Sequence, residues 1–556
     1  MRQSKSSNPL PTQSPPDGPR DAPILIVGEA FGADEALRGK PFVGPAGREL
    51  TRMLHDAGIA RTDCLITNLV NARPPANNIR IWFEKWTKAE RIPGPIVQEG
   101  LRRLHALIQE VKPKLIIALG ETALWALSGR TGIMDWRGSQ LWYKDSQGNP
   151  IAKLVPTVHP AAVLRQWSWR FLAVHDLKRA RAWAFEGAHQ EREYRFHIRP
   201  IFEDAVALLS EQLQRADRGP IRLSFDVETR AKDLQITCFG IGISAHEAFC
   251  IPITSVQDPE GYWTQHQEAE LIWLLTRLFR HPNIRWVLQN AAYDFQWTAR
   301  LWGTIPRNLH MDTMLAHHVA WSGLPKSLDF LSSLYCDYHC FWKHEGADFH
   351  KSLKTPSDED TYWRYNCKDC CTTWEVSEVL EQLIEKEGLQ PAFRFQHEQF
   401  WPVLRMMLRG VRIDTALKDS LRLDLMHAMV EREQWMQDTL GQVLNPRSPK
   451  QMQKFFYKDL GLPVQYNRKS GRPTCDAKAL AKLAKREILI RPVVEVIEQY
   501  RSLGVFLSTF INARLDHDKR MRCSYNIAGT ETFRYSSSSD AFGYGTNLQN
   551  LPKGDD

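Results

Sequence analysis

The sequence has 556 residues, which predicts about three or four domains because globular domains average about 150 residues. Hydrophobic residues make up 43% and charged residues 24%, a composition typical of globular proteins and unlike that of disordered, collagen-like or coiled-coil chains. The 72 Lys and Arg residues exceed the 64 Asp and Glu residues by 8, a mild excess that permits a polyanionic partner without identifying one.

The sequence predicts a cytoplasmic protein with no membrane partner. No stretch approaches the roughly 20 apolar residues of a membrane span, and the polar N-terminus lacks the apolar core of a signal peptide. For a viral protein, the corresponding compartment is the host cytoplasm or nucleoid. The ten cysteines are expected to be reduced thiols, because so long a chain needs no disulfide framework.

The chain begins with a segment, residues 1–21, that is rich in Pro, Ser and charge, and this composition predicts a disordered leader. Short apolar runs then alternate with helical patterns. The runs begin at Ala22, Cys64 and Lys114. Strands that alternate with helices predict an α/β domain with a mostly parallel sheet over residues 22–190.

A second α/β pattern follows the charged segment Phe185–Arg199, which lacks a helical apolar face. Its predicted strands are Ile221–Glu228, Thr237–Ile243 and Arg285–Leu288. From Pro391 onward long helical patterns prevail. We therefore expect a multidomain α/β chain with domains at residues 22–190, 191–390 and 391–556.

Five motifs in the first domain stand out by their glycine, polar or aromatic residues. A Gly-rich loop with the acidic residue Glu29 follows the first apolar run and continues into PFVG, which contains Phe42. Asn68 ends the next run, a KPK sequence precedes the strand that ends at Gly120, and a later Val-His-Pro contains His159. In this order the motifs resemble the uracil-DNA glycosylase superfamily, particularly family 4.

The resemblance implies an α/β/α fold and excision of uracil from DNA. It implies that Glu29 orients or activates the attacking water and that Phe42 stacks on the extruded uracil. It also implies that Asn68 reads the uracil edge and that His159 stabilises the charge that develops on the uracil O2. These residue types suit an enzyme that must take a base out of the stack and bind a departing anion.

The chain departs from the family pattern at two places. The family loop has Pro where this chain has Phe31, and family 4 enzymes hold an iron–sulfur cluster on four cysteines. Ala72 stands where one such cysteine is expected, no Cys precedes Cys64, and none follows before Cys238. We therefore predict no iron–sulfur cluster. A fold kept for DNA binding, with the chemistry lost, is the alternative for this domain.

Four acidic residues in the second domain follow a recognisable order. Asp226 and Glu228 lie at i and i+2 on a predicted strand, so they point to the same face and can bind hard divalent cations. Asp294 ends QNAAYD, and Tyr365 stands one helical turn before Asp369. The set resembles the 3′–5′ exonuclease domain of family A DNA polymerases, the DEDD type with tyrosine.

This resemblance implies a ribonuclease H-like fold and a site with two Mg²⁺ or Mn²⁺ ions. The implied ligands are Asp226, Glu228, Asp294 and Asp369. Tyr365 would position the attacking water.

A cysteine-rich region of the same domain offers a second interpretation. Cys336, His339 and Cys340, together with the cysteines within 367–371, have the residue types of a zinc site. Asp369 lies inside the second group and is already assigned to the magnesium site. We favour small buried cysteines that pack a helix.

The third domain carries the sequences TETFRYSSS and TNLQNLP. They resemble the thumb and the start of the palm of a family A polymerase, although Phe533 replaces the usual Gly and Tyr535 the usual Leu. The resemblance implies a mostly α-helical partial polymerase in which Arg534, Asn547 and Gln549 contact primer–template DNA. The family's metal-binding polymerase aspartates follow the second motif, so we expect no polymerisation without a separate palm and fingers segment.

Together the three resemblances predict a DNA replication and repair protein. It would combine uracil excision with metal-dependent 3′–5′ exonuclease activity. Its expected partners are uracil-containing DNA, single-stranded 3′ ends, primer–template DNA and replication proteins. The alternative is an exonuclease whose glycosylase-like domain only binds or senses DNA, and Glu29→Ala and His159→Ala distinguish the two.

Overall fold

A computed structural model describes residues 14–87, 90–258, 261–347, 355–468 and 470–551. The chain divides into two compact units. The first consists of Met1–Glu228, Ile236–Gln289 and Pro306–Gln390, and the second of Thr229–Gln235, Asn290–Ile305 and Pro391–Asp556. In the described part of the chain, no helix is long and apolar enough to cross a lipid bilayer.

The first sheet has five strands in the order β2-β1-β5-β7-β6. Its strands are β1 Ile24–Ala30, β2 Cys64–Val70, β5 Leu115–Leu119, β6 Leu141–Lys144 and β7 Pro150–Thr157, and a separate pair is formed by β3 Phe83–Trp86 and β4 Arg91–Pro93. Strand β6 runs antiparallel to β7, whereas the other neighbours are parallel. Strands β2 and β5 are buried along their whole length, as expected of a parallel sheet that is covered on both faces.

Helices cover both faces of this sheet. They are Ala33–Arg38, Pro45–Asp56, Pro95–Val111, Glu121–Ser128, Ile133–Trp136, Pro160–Arg165 and Trp169–Arg181. Leu25 packs into one apolar core with Leu104, and its neighbour Ile26 packs into another with Leu177. Successive residues of a strand point to opposite faces, so the predicted three-layer α/β/α fold is confirmed.

The prediction of disorder is wrong for residues 14–21. Asp17 forms an antiparallel bridge with Ile66, with N–H···O distances of 2.9 and 2.8 Å, and the side-chain amide of Asn71 donates to the carbonyl of Ser14 at 2.8 Å. Strand β2 lies at the edge of the sheet, and its free backbone groups can pair with a segment that has little to bury. Residues 1–13 lie outside the described residues.

The second sheet has six strands in the order β13-β12-β9-β10-β11-β8. They are β8 Arg195–His197, β9 Ile221–Arg230, β10 Gln235–Gly242, β11 Glu247–Pro252, β12 Ile284–Leu288 and β13 Leu309–Asp312. The helices of this part of the first unit are Phe202–Arg218, Gln265–Arg280, Thr313–Ala320, Leu328–Tyr335, Lys343–Ala347 and Pro356–Lys386. Strand β9 pairs in parallel with β12, and β10 pairs antiparallel to β11. The sheet is therefore mixed.

The helix Pro356–Lys386 packs closely on this sheet. A Cβ atom added to Gly240 would lie 2.2 Å from Oδ1 of Asn366 and 2.7 Å from Sγ of Cys370, so glycine permits the contact. Five cysteines fill the same apolar cluster: Cys238, Cys250, Cys367, Cys370 and Cys371. Burial raises the pKa of the Cys367 and Cys370 thiols well above the usual range, which keeps them neutral. These cysteines pack the helix, as we favoured.

The second unit is mostly helical, as predicted. Its helices are Ala291–Trp302, Gln390–Glu398, Phe400–Arg409, Thr415–Leu440, Pro449–Gln453, Ala477–Arg486 and Arg491–Phe506. Two short antiparallel pairs complete it, β14 Val411–Arg412 with β15 Arg520–Met521 and β16 Ser524–Asn526 with β17 Ser536–Ser538. Met436, Phe456 and Ile497 contribute to its core.

Candidate active sites

The first candidate site lies at the carboxyl ends of the parallel strands. Glu29 lies at the end of β1, Asn68 lies on β2, and His159 follows β7 by two residues. The order β2-β1-β5 places β1 where the strand connections reverse direction, the position at which open α/β sheets form a ligand crevice. Glu29, Phe42, Asn68 and His159 line one cavity of about 700 Å³. The structure thus brings together the four residues predicted for this site.

Gly28 allows two of these side chains to lie over β1. A Cβ atom at Gly28 would lie 2.4 Å from Oδ1 of Asn68 and 2.6 Å from Cζ of Phe42. Phe42 has a φ of 53°, a left-handed conformation that costs a non-glycine residue free energy and that occurs often at functional sites. Arg61 donates to the Phe42 carbonyl at 3.3 Å and helps to hold this conformation.

His159 is neutral, and its tautomer follows from its backbone contact. The backbone N–H of Ala161 donates to Nδ1 at 3.1 Å, so Nδ1 is the acceptor and Nε2 carries the proton. Burial, with a smaller effect of Arg165, lowers the pKa of His159 to about 4. The ring centroid lies 5.6 Å from that of Phe42. At neutral pH the ring is therefore an uncharged N–H donor beside the aromatic platform.

Glu29 has a hydrogen-bond donor that the sequence did not reveal. The hydroxyl of Thr122 donates to Oε2 of Glu29. Thr122 lies in the first turn of the helix Glu121–Ser128, which follows β5 after the single residue Gly120. A single threonine in a helix has no distinguishing pattern, so sequence reasoning missed it.

The first α/β domain does not supply the ligands of a four-cysteine cluster. Cys64 is its single cysteine, and burial raises the pKa of this thiol to about 12, as expected of a core residue. Ala72 packs in the same apolar core as Phe83. The Phe83 ring contacts Trp86 edge-on at a centroid distance of 4.6 Å, and the Arg91 guanidinium lies 4.2 Å from the Trp86 ring centroid.

The second candidate site contains three carboxylates of the exonuclease-like domain. Oxygen atoms of Asp226, Glu228 and Asp369 all lie within 4.8 Å of one another. Asp226 and Glu228 share a face of β9, and Asp369 projects from the helix Pro356–Lys386. Burial, together with the neighbouring carboxylates, raises the pKa of Asp226 and Glu228 above the usual range. An all-oxygen donor set under mutual repulsion suits a hard divalent cation.

Three further side chains contact these carboxylates. Asn366 donates to Oδ2 of Asp226 at 2.8 Å, and the indole N–H of Trp342 donates to Oδ1 of Asp369 at 2.6 Å. The ammonium group of Lys343 pairs with Oδ2 of Asp369. Asn366 follows directly after the predicted Tyr365, but Trp342 and Lys343 lie outside the motifs and carried no sequence signal.

Tyr365 and Asp294 complete the predicted exonuclease residues. The phenolic oxygen of Tyr365 accepts a hydrogen bond from Lys343 at 2.9 Å. Asp294 is buried in the first turn of the helix Ala291–Trp302 and belongs to the second compact unit. Its role as a fourth ligand stays a prediction.

The three residues predicted to contact primer–template DNA lie outside the strands of the β16–β17 pair, Arg534 two residues before β17 and the other two after it. Arg534 is exposed, and its backbone N–H donates to Oγ1 of Thr530 at 2.9 Å. Asn547 accepts from the backbone N–H of Gln549 at 3.0 Å. The Gln549 side chain donates to the carbonyl of Tyr535 at 3.3 Å. Asn547 and Gln549 are thus tied to each other, and Arg534 lies on the surface.

Phe533, which replaces a family glycine, has a φ of 61°. This left-handed conformation is the one that glycine adopts without cost. The left-handed backbone explains why glycine is usual at this position. This chain has the same backbone conformation with an exposed phenylalanine.

Three family models match successive parts of the chain. The uracil DNA glycosylase superfamily matches residues 15–184, the 3′–5′ exonuclease family matches residues 202–385, and DNA polymerase family A matches residues 416–556.

Individual relatives divide in the same way. The type-4 uracil-DNA glycosylase of Thermotoga maritima is 35% identical over 174 residues, which cover 30% of this chain and 80% of that protein. DNA polymerase I of Pseudomonas aeruginosa is 28% identical over 59% of this chain and 36% of its own length. The DNA polymerase of Bacillus phage SP01 is 22% identical over 99% of this chain. The chain spans 64% of that phage polymerase, so it covers less than two thirds of either polymerase. The chain belongs to the uracil-DNA glycosylase superfamily through its first α/β domain, and it continues with the 3′–5′ exonuclease and polymerase domains of DNA polymerase family A.

Proposed function

We propose that the first domain removes uracil from DNA by hydrolysing the N-glycosidic bond of an extruded nucleotide. The convergence of Glu29, Phe42, Asn68 and His159 on one cavity carries this proposal. A cavity of about 700 Å³ falls in the size range of small-molecule sites. The similarity to type-4 uracil-DNA glycosylases supports the choice of base.

Base recognition falls to Phe42 and Asn68. The Phe42 ring offers a face on which a flipped pyrimidine stacks. The Asn68 amide offers one donor group and one acceptor oxygen, which match the N3–H and O4 groups of uracil. Asn68 is buried, so a base that leaves its amide unpaired pays a desolvation cost.

Bond cleavage then draws on His159 and Glu29. As the C1′–N1 bond breaks, its electron pair leaves with uracil, and the Nε2–H group of His159 donates to the negative O2 atom. Glu29, held by Thr122, orients a water molecule that bonds to C1′. The proton that this water loses balances the charge of the uracil anion. The products are free uracil and an abasic site.

A metal-free assay tests this activity. An end-labelled single strand with one uracil is incubated with the protein in EDTA and then treated with alkali, which cleaves abasic sites. We expect cleavage at the uracil with the wild-type chain and none with Glu29→Ala. An uncut strand would instead contradict uracil excision and favour a first domain that only binds or senses DNA.

We also propose that the second domain is a metal-dependent 3′–5′ exonuclease. The approach of Asp226, Glu228 and Asp369 within 4.8 Å carries this proposal, and Asp294 is the proposed fourth ligand of two Mg²⁺ or Mn²⁺ ions. Such cations activate water and stabilise the leaving oxygen when they are bound. Tyr365, whose oxygen accepts from Lys343, orients the attacking water.

The exonuclease is tested by adding Mg²⁺ or Mn²⁺ to the same labelled strand. We expect stepwise shortening from the 3′ end, which EDTA and Asp226→Ala each abolish. Shortening that persists in Asp226→Ala would contradict the ligand assignment.

For the third domain we propose contact with primer–template DNA. Arg534 and Gln549 are exposed and have polar side chains suited to phosphate and sugar contacts. Asn547 contributes by holding the Gln549 backbone. Alanine variants of Arg534 and Gln549 should weaken binding to a primer–template duplex and leave uracil excision unchanged.

A further inference from the structure

One short stretch of chain contacts the glycosylase-like domain on one side and the exonuclease carboxylates on the other. This stretch, His339–Lys343, is called the linking segment here. All of the residues that it joins belong to the first compact unit. Five residues span at most about 17 Å when fully extended. Because the segment is this short, a shift of its glycosylase-domain end also moves the end that contacts the carboxylates.

Two residues of the glycosylase-like domain hold the linking segment. The backbone of Gln140 donates to the His339 carbonyl at 2.8 Å, and the His339 N–H donates to Oε1 of Gln140 at 3.1 Å. The Phe341 N–H donates to Oγ of Ser139 at 3.1 Å. Ser139 and Gln140 are 0% and 2% exposed, so these bonds are shielded from water and costly to lose.

Apolar packing fastens the same end of the segment. Cys340 and Phe341 pack against the core of the first sheet. The Phe341 ring meets Trp136 edge-on, with ring centroids 5.1 Å apart. The linking segment is therefore built into the glycosylase-like domain although it belongs to the exonuclease sequence.

The other end of the segment determines the geometry of Asp369 and Tyr365. Trp342 and Lys343 donate to different oxygens of Asp369, which fixes the plane of that carboxylate. Lys343 also donates to the Tyr365 oxygen at 2.9 Å. Because the ammonium group occupies a lone pair of this oxygen, the phenolic O–H is left to donate elsewhere.

We propose that Trp342 and Lys343 are positioning residues of the exonuclease site and that Ser139 and Gln140 of the glycosylase-like domain hold them in place. This inference rests on the proposed exonuclease function. It makes the first domain a structural part of the second domain's active site, whether or not a uracil is present.

Lys343→Met tests the exonuclease end, and Lys368→Met is its matched control. Each lysine side chain is 26% exposed, and Lys368 pairs with Glu345 at 3.2 Å. We expect Lys343→Met to lower the exonuclease kcat about a hundredfold with little change in KM for a single strand. Lys343→Arg should restore part of the rate. In a Tyr365→Phe background, Lys343→Met should cost less, because one of the two groups that Lys343 positions, the Tyr365 hydroxyl, is already gone.

Gln140→Ala tests the glycosylase end, and Gln212→Ala is the control. Gln212 is equally buried and bonds within its own helix, Phe202–Arg218. In EDTA, amide hydrogen exchange of residues 339–343 should rise in Gln140→Ala and stay unchanged in Gln212→Ala. The exonuclease kcat of Gln140→Ala should fall about tenfold, whereas uracil excision should remain within about twofold of wild type and report an intact first domain.

Hydrogen exchange separates the two hypotheses, because it requires no activity. If exchange rises in Gln140→Ala but the wild-type protein shows no exonuclease activity, the contact between Gln140 and the linking segment is supported and the proposed exonuclease function is refuted. Wild-type exchange in Gln140→Ala, or a wild-type kcat in Lys343→Met, would overturn the inference. If Gln140→Ala unfolds, the same exchange measurement on Ser139→Ala tests the inference. This variant removes only the hydroxyl that accepts the hydrogen bond from the Phe341 N–H.

Discussion

The backbone N–H of Ala161 donates a hydrogen bond to Nδ1 of His159 at 3.1 Å. This bond and the burial that lowers the pKa of His159 to about 4 both favour the neutral ring with its proton on Nε2. An N–H donor on this cavity-lining residue is thus present before any base enters the cavity. The same arrangement makes the site's response to pH predictable.

We expect the rate of uracil excision to stay level between pH 8 and pH 5.5, because His159 remains neutral throughout. Single-turnover rates in EDTA would measure this, and His159→Ala should lower them by about a hundredfold. A rate inflection near pH 6.5 that vanishes in the variant would contradict the lowered pKa. The unfolded chain has the ordinary value of 6.5, so the ring's contribution to the free energy of unfolding is lost as pH falls from 6.5 towards 4.

Thr122→Val should lower uracil excision about tenfold, because it removes the hydroxyl that holds Glu29 while keeping the side-chain volume. Thr122→Ser is the matched control and should retain the wild-type rate, since its hydroxyl reaches the same carboxylate. Equal rates in the two variants would show that Glu29 needs no such partner. Circular dichroism of both variants confirms the fold.

Asp226→Asn should abolish the exonuclease and yet raise the Tm of the metal-free protein. Burial and the neighbouring Asp369 make ionisation of Asp226 costly, and the substitution removes this charge while keeping an acceptor for Asn366. The folded-state pKa of Asp226 lies above the ordinary 3.8, so the cost of ionisation grows as pH rises. The gain in Tm should therefore be larger at pH 8 than at pH 5.5.

Asp233→Asn is the control for this substitution, since Asp233 pairs with Arg230 at 3.4 Å on the surface. Its Tm and nuclease rate should match wild type at both pH values. Millimolar Mn²⁺ should stabilise wild type and Asp233→Asn but leave Asp226→Asn unchanged. Equal Mn²⁺ stabilisation of all three proteins would place the cation elsewhere.

Phe533→Gly should raise the Tm by about 1–2 °C, because the left-handed backbone costs an L-residue about 1–2 kcal/mol and glycine's extra entropy offsets part of the gain. Gly471→Ala supplies the opposite test, since Gly471 has a φ of 65° and, apart from its chain neighbours, no atom of the described residues lies within 4 Å of an added Cβ. It should lower the Tm. Calorimetry that showed a lower Tm for Phe533→Gly would mean that contacts of the ring outweigh the strain.

Much of the candidate chemistry could be predicted from the sequence because it resides in local motifs. Glu29 and Asn68 lie in the carboxyl-terminal halves of β1 and β2, His159 follows β7, and strand direction carries all three to one edge of the sheet. Asp226 and Glu228 share a face because strands repeat every two residues, and Tyr365 and Asp369 share one because helices repeat every 3.6.

Tertiary structure alone decided the contacts between distant segments. Thr122 meets Glu29, Lys343 meets Tyr365, and Asp17 pairs with the edge of β2. No local sequence pattern predicts these pairs, because each depends on which surfaces the packed sheets and helices bring together. The composition of residues 14–21 predicted disorder. This prediction failed because composition does not show that the backbone of a strand distant in sequence is available for hydrogen bonding. Side-chain periodicity relates residues that are close in sequence, whereas these contacts join residues that are far apart in sequence. The sequence therefore predicted the motif residues but not the residues that hydrogen-bond to them.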